Sequence, residues 1–323
     1  MNITIVLKDK IPSIKYGGTQ RVVWYLGKEL NKLGHNITFI AAKGSYCPFA
    51  KVIELDPSKE LKNLIPENTD IVHFNFPVPE GITQPHLLTA HGNGIPSNVD
   101  RNVVFVSRNH AERFGSESFV YNGLDWDDYG VANLDLARKR YHFLGKAAWK
   151  VKNVKGAMAV VQKMQGAELD VLGGYRLNLK MGFRFTWNPR IHFHGMVDDA
   201  KKRAVIQQSK GLIFPVTWHE PFGLAITESL YFGAPVFGTP YGALTELVVP
   251  EVGFLTNSAA EMAEHIEASE YAPKVCHEYA RDLFNSKVMA EAYLKKYEKV
   301  LNGEPLNQEI PHVIDVARHL PWE

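Results

Sequence analysis

Cysteine is nearly absent. Only Cys47 and Cys276 occur in 323 residues, far apart and outside any CxxC pair, which excludes a disulfide scaffold or zinc ribbon and points to a reducing compartment. No run of about 18 consecutive apolar residues exists, so no segment is expected to cross a membrane. The opening MNITIVLKDK is apolar for too few residues to be a secretory leader. An excess of charge is also lacking: 36 Lys and Arg stand against 35 Asp and Glu, which gives no global field for nucleic acid. Any anion site must be local. No GxGxxG follows the first apolar stretch, so a nicotinamide-binding domain lacks its phosphate fingerprint. Hydrophobic residues at 45% and charged residues at 22% are ordinary for a folded, water-soluble chain, and the expected location is the cytoplasm.

At roughly 100–200 residues per domain, the length implies two cores. Residues 3–7 are apolar and are followed by a loop with Pro12 and Gly17-Gly18. Val22, Val23, Leu26, Leu30 and Leu33 then keep helical spacing up to Gly34. Residues 36–41, 71–74, 87–90 and 103–106 read as short buried strands. This is a βαβ rhythm, which implies a parallel sheet with sites at strand C-termini. The rhythm pauses at the turn dipeptide Asn122-Gly123 and a polar stretch, read as the linker. From Tyr141 it restarts: YHFLG, a lysine-bearing loop, a helix over 157–163, LDVLGG, IHFHG, a helix near 200–209, GLIFP, a helix after Phe222, PVFG, and two helical stretches over 258–301. The expected domains are 1–125 and 126–302. A tail over 303–323, with three prolines around a short helix, is expected to lie back on the first domain.

The densest chemistry lies in residues 214–246. A loop presenting Trp218, His219 and Glu220 leads through Pro221 into a helix beginning near Gly223. Free amides there favour a phosphate, and Gly223 lets it approach the backbone. Glu228, one helical turn beyond Leu224, could accept from vicinal hydroxyls beside that phosphate, and Glu220 from hydroxyls at the other end of a diphosphate. The same spacing fits an ordinary loop and helix with a capping acid and a solvated glutamate. Lys146, Lys150 and Lys152 put ammonium groups at another strand end, either to stabilise an anionic leaving group or as a solvated basic loop. Tyr16-Gly17-Gly18-Thr19 opens a helix and is a second anion or hydroxyl cradle, or a flexible loop. His73 and His91 close strands, with His91 followed by glycines. His192 and His194 alternate on one strand, but no carboxylate or cysteine stands nearby in ligand spacing, which argues against a metal pair. Asp125-Trp126-Asp127 mimics a metal-holding DxD yet follows Asn-Gly in the linker, so a solvated turn is expected.

These residues resemble family 4 glycosyltransferases of the GT-B fold, over most of the chain. Glu220-Pro221-Phe222-Gly223-Leu224 through Glu228 matches the E-x7-E motif, and Gly233, Pro235, Val236 and Glu246 fall where the following G-x-P-V and glutamate lie. Gly17-Gly18 with Arg21, VYNGLD and FLGK match in the same order. The resemblance implies two Rossmann-like domains with parallel sheets facing across a cleft. Glu228 would bind the ribose, while Glu220 and the amides of Phe222, Gly223 and Leu224 would hold donor sugar and phosphate. Lys146 stands where arginine is usual and Asn153 where glycine is usual; Lys146 and Lys152 would neutralise the diphosphate. His91 would face the donor sugar, Gly17-Gly18 would form the glycine loop with Gly18 contacting phosphate or acceptor, and Gly195 and Met196 would meet the base.

The expected reaction moves a sugar from a nucleotide-diphosphate donor, a UDP-sugar by family frequency, to an acceptor hydroxyl. Retention is implied by the family, and no metal or other cofactor is required if lysines and helix amides supply the positive field. The acceptor would be a sugar, a lipid-linked sugar or a small molecule; no nucleic acid is involved. The resemblance allows a peripheral contact with the inner membrane surface, although the amphipathic stretch Ala280, Leu283, Phe284, Val288, Tyr293, Leu294 and Tyr297 reads as core-facing. A nucleotide-sugar 2-epimerase, a phosphorylase and a non-catalytic nucleotide-sugar binder are the alternatives.

Overall fold

The computed structural model describes residues 1–13, 17–94, 99–179, 181, 183–315, 317 and 319–323. In chain order these form β1 (Asn2–Val6), α1 (Gly18–Lys32), β2 (Asn36–Ala41), β3 (Lys51–Glu54), β4 (Ile71–Phe74), β5 (His86–Ala90), β6 (Val103–Phe105) and α2 (Arg108–Glu112). There follow α3 (Trp126–Tyr129), β7 (Arg140–Leu144), α4 (Val154–Lys163), β8 (Leu169–Leu172), β9 (Leu177–Asn178), β10 (Arg184–Phe185), β11 (Ile191–Phe193), α5 (Asp199–Ile206), β12 (Ser209–Phe214) and α6 (Leu224–Tyr231). The last elements are β13 (Val236–Gly238), α7 (Leu244–Leu247), β14 (Gly253–Leu255), α8 (Ala259–Ala268), α9 (Pro273–Leu283) and α10 (Ser286–Leu301).

The chain divides into two compact units. The first is Met1–Asp125 with Phe284–Val316, the second Trp126–Leu283 with Ala317–Glu323. In the first, six parallel strands run in the order β3-β2-β1-β4-β5-β6. Strands β1, β4, β5 and β6 are almost wholly buried, as is usual for a parallel sheet, whereas edge strand β3 is not. Helix α1 turns Val22, Val23, Leu26 and Leu30 inward. It packs so closely on β2 that a Cβ at Gly27 would lie 2.3 Å from the Phe39 ring. Gly34, at φ +87, stops the helix where the backbone turns left-handed.

The second unit repeats the plan, with six parallel strands in the order β11-β8-β7-β12-β13-β14 and a separate antiparallel ribbon of β9 and β10. Taken in chain order, both sheets have the doubly wound sequence 3-2-1-4-5-6. Such sheets bind ligands outside the strand C-termini at the point where the order reverses. In the second unit that point lies between β7 and β12.

Three features differ from the sequence reading. The helical region over 258–301 holds three helices, and α10 belongs to the first unit. The physical reason is polar: Tyr297 and Tyr293 bring hydroxyls to His73 Nδ1 (2.7 Å) and Thr89 (2.9 Å), buried groups of β4 and β5 that need partners. Of the amphipathic stretch, Ala280, Phe284, Tyr293 and Tyr297 are buried, whereas Leu283 and Val288 are exposed. The tail after α10 contains no helix among its described residues. Its His312 and Ile314 amides donate to the Phe114 and Arg113 carbonyls of the first unit, and Leu320 and Glu323 donate to Thr217 and Asn257 of the second. Gly123 is explained by a close crossing, since a Cβ there would lie 2.1 Å from the carbonyl oxygen of Asn285. No helix among the described residues is long and apolar enough to cross a membrane.

Candidate active site

The loops after β7 and β12, which carry the lysines and the Glu220 segment, emerge side by side at the switch point of the second sheet. The β12 loop is anchored by Thr217 N–H on the Val151 carbonyl (2.8 Å) and by Asn153 Nδ2 on the Pro215 carbonyl (2.9 Å). Asn153 sits at φ 52, ψ 51, in the left-handed region that asparagine tolerates better than other non-glycine residues, and its Oδ1 caps α4 at Gly156 N–H. This accounts for asparagine at a position where the resemblance expects glycine.

Lys152 and Glu220 meet between these anchored loops. Lys152 Nζ lies 2.6 Å from Glu220 Oε2, and Trp218 Nε1 donates to the same oxygen at 2.8 Å. The ammonium rests 5.1 Å from the Phe214 ring centroid and 5.2 Å from that of Trp218, where the ring faces favour a cation. The backbone of Glu220 is fixed by a bridge to Gly242, with Ala243 N–H donating to the Glu220 carbonyl at 2.8 Å. At Gly242, φ is +64 and a Cβ would stand 2.3 Å from Glu220 N.

Gly223 precedes α6 in the left-handed region, φ 91, and provides no side-chain cap, and the first turn of α6 has no acid. The helix therefore presents amides and the positive end of its dipole without an internal anion. Phe222 is buried beside this turn and Leu224 half-buried. Glu228 lies within α6 and is 4% exposed. Its Oε1 accepts from Lys202 Nζ at 2.6 Å and from the Tyr129 hydroxyl at 2.5 Å. Tyr129 comes from α3, held against α6 by Trp126 stacked on Tyr231 at 4.1 Å.

The remaining candidates of the second unit are zipped onto the same strand ends. Gly145 N–H and Ala147 N–H donate to the Leu172 and Gly173 carbonyls, and Gly173 N–H donates to the Gly195 carbonyl at 2.8 Å. Lys146 is exposed, its Nζ 5.3 Å over the Trp149 ring. Lys150 is exposed as well, Gly195 is buried with φ +70, and Met196 is 41% exposed. Glu246 lies in α7, half-buried.

In the first unit Gly17 precedes α1, again without a side-chain cap or an acid in the first turn, and Gly18 is the first helical residue. Tyr16 lies outside the described residues. His91 follows β5, with Nε2 at 2.8 Å from Asn75 Oδ1. Burial pushes the His91 imidazole down to about 4, so it is neutral near pH 7. His73 is part of the core: Tyr297 and Thr89 occupy both ring nitrogens.

Three residues of this arrangement carry no separate expectation in the sequence: Tyr129, Lys202 and Gly242. Gly242 has a local signal, a glycine in a Pro-Tyr-Gly turn; Tyr129 and Lys202 have none. The histidine pair also changes meaning. Carboxylates do face it, from the neighbouring strand end: His192 Nε2 lies 2.5 Å from Glu168 and His194 Nε2 2.7 Å from Asp170. No group of three or more metal-ligating side chains occurs among the described residues. Asp125 pairs with Lys28 at 2.8 Å, and Trp126 between the two aspartates is buried.

Two doubly wound units with strand-end loops of this kind define an α/β fold of the GT-B type. The likeness to solved glycosyltransferases agrees. AviGT4, a glycosyltransferase involved in avilamycin A biosynthesis, superposes with TM-score 0.78 at 21% identity, covering 94% of this chain and 98% of that one. HepE of Anabaena, solved in complex with UDP and glucose, gives TM-score 0.65 at 16% identity, covering 92% and 99%. Residues 136–269 match the family model described as glycosyl transferases group 1. D-rhamnosyltransferase WbpZ of Pseudomonas aeruginosa is 24% identical over 59% of this chain and 60% of its own length. Trehalose synthase of Pyrococcus horikoshii is 27% identical over 32% of this chain and 26% of its own. The chain thus spans less than two thirds of the curated relatives it matches.

Proposed function

We propose that the chain is a retaining family 4 glycosyltransferase that moves a hexosyl group from a UDP-sugar to an acceptor hydroxyl in the cytoplasm. The observation that carries the reading is the pair Glu220 and Glu228, held on either side of the uncapped start of α6 by Lys152 and Lys202. A nucleoside diphosphate sugar has hydroxyls on both sides of its diphosphate and so fits this pair. On this reading Glu228 binds the ribose and Glu220 the donor sugar, with the amides of Phe222, Gly223 and Leu224 at the phosphate. Gly195 and Met196 meet the base. HepE, solved with UDP-glucose, supports the choice of nucleotide.

The bond from anomeric carbon to diphosphate oxygen breaks, the acceptor oxygen bonds to that carbon, and the hydroxyl proton leaves with the diphosphate. Lys146, Lys152 and the α6 amides stabilise the departing charge, so transfer requires no metal. The test is a thermal-shift panel of UDP-, GDP- and ADP-sugars with and without chelator. A selective rise with a UDP-sugar that survives chelation is expected; no rise with any donor would refute the donor site. Glu228→Ala should weaken donor binding, and Lys152→Ala should lower turnover more than affinity. Product formation separates a transferase from a non-catalytic binder, and turnover without acceptor separates it from an epimerase.

A further inference from the structure

The ribbon of the second unit inverts the usual arrangement of a strand pair in water. β9 and β10 place Leu177 opposite Phe185 and Asn178 opposite Arg184. By period-two alternation Tyr175, Leu177, Leu179, Phe183, Phe185 and Trp187 share one face. That face is turned to solvent: Leu179 is 72%, Phe183 73% and Trp187 84% exposed. The polar face is the one packed inward, with Arg184 and Thr186 each 8% exposed. Arg176 donates to the carbonyls of Thr186, Asn188 and Ile191, and Arg184 to that of Tyr175. Carbonyls accept from these arginines without cancelling their charge. From residue 171 to 197 the sequence has no Asp or Glu, while Arg176, Lys180, Arg184 and Arg190 all fall there.

We propose that this face docks the protein on an anionic lipid bilayer. Read from the outside inward, the ribbon presents apolar tips and then cations. A bilayer surface has the matching layers, with acyl chains below anionic phosphates. Tryptophan and phenylalanine suit the boundary between these layers, and each nearby cation gains from the negative surface potential. Docking here requires no glycosyl transfer and survives the loss of that reading.

The full chain is floated with vesicles of phosphatidylcholine alone and of phosphatidylcholine with phosphatidylglycerol in equal parts, at low and high salt. The comparison is the double variant Phe183→Ser with Trp187→Ser, whose exposed positions leave thermal unfolding unchanged. Wild type should float with the anionic vesicles at least about tenfold better than with the neutral ones and lose most of this in salt. The double variant should lose at least about tenfold. Equal flotation with both vesicle types, or a double variant that floats like wild type, overturns the proposal. A wild-type dimer that the double variant makes monomeric, without vesicle binding, overturns it in favour of a second copy.

Discussion

Lys202 Nζ stands 2.6 Å from Glu228 Oε1, and both side chains are buried. A buried carboxylate needs its cation: removing one partner of such a pair typically costs about 3–5 kcal/mol, because the other charge stays behind. Lys202→Met should therefore destabilise the second unit by roughly that amount and weaken UDP binding at least tenfold, read by urea unfolding and calorimetric titration. Lys202→Met with Glu228→Gln should regain much of the stability and none of the binding. Full binding in the double variant would show that Glu228 has no part in holding the ligand.

Gly242→Ala and Gly34→Ala both place a Cβ at positive φ, +64 and +87, but only the first meets backbone, at 2.3 Å from Glu220 N. Left-handed strain alone costs about 1–2 kcal/mol. Gly34→Ala should show that loss in urea melts and leave ligand binding intact. Gly242→Ala should exceed it and abolish nucleotide binding, because the Glu220 backbone has to move.

Asn153→Gly removes the α4 cap and the tie to Pro215 while easing the left-handed backbone. A net loss of about 1 kcal/mol is expected, within the range of N-cap losses. Asn153→Ala loses the same bonds without that relief, so it should unfold at lower denaturant than Asn153→Gly. The reverse order would discount the backbone conformation as the reason for asparagine here.

Acidification should weaken the first unit first. Burial depresses His73 and His110 to about 3 and His91 to about 4 in that unit, and His142 to about 3 in the second. The unfolded chain takes up these protons near pH 6.5 and the folded one does not, so stability is full above that pH and falls as pH drops toward 3 to 4. At pH 5 each histidine costs on the order of 1–2 kcal/mol. Hydrogen exchange at pH 5 against pH 7.5, corrected for intrinsic rates, should show β4 and β5 losing protection before β7 and β12.

Much of the doubly wound fold is legible in the chain. Its strands are short apolar runs ending in glycine or polar residues, and α1 shows its buried face and its glycine stop in the spacing from Val22 to Gly34. The Glu220–Glu228 segment also stands out, because a Pro, a Gly and two carboxylates around a helix start form a local pattern. Its supports do not. Tyr129 is 99 residues from Glu228 in sequence and Lys202 is 26, and neither has a flanking motif. Likewise Tyr293 and Tyr297 form a stripe suited to any core, and only the buried His73 and Thr89 direct α10 to the first unit.

What the sequence by itself determined is local: the main strands and helices of the two βαβ series, the glycine stop of α1, and which loops carry charge. Those follow from periodicity and backbone restrictions acting over a few residues. Which side chains meet, and which face of an alternating segment turns inward, was decided by the tertiary structure. Tyr-Arg-Leu-Asn-Leu and Phe-Arg-Phe-Thr-Trp alternate as any half-buried strands do, yet here the arginines face in and the aromatic residues face out. Alternation assigns residues to two faces; only the carbonyls of Tyr175, Thr186, Asn188 and Ile191, gathered by the fold, make the inner face the polar one.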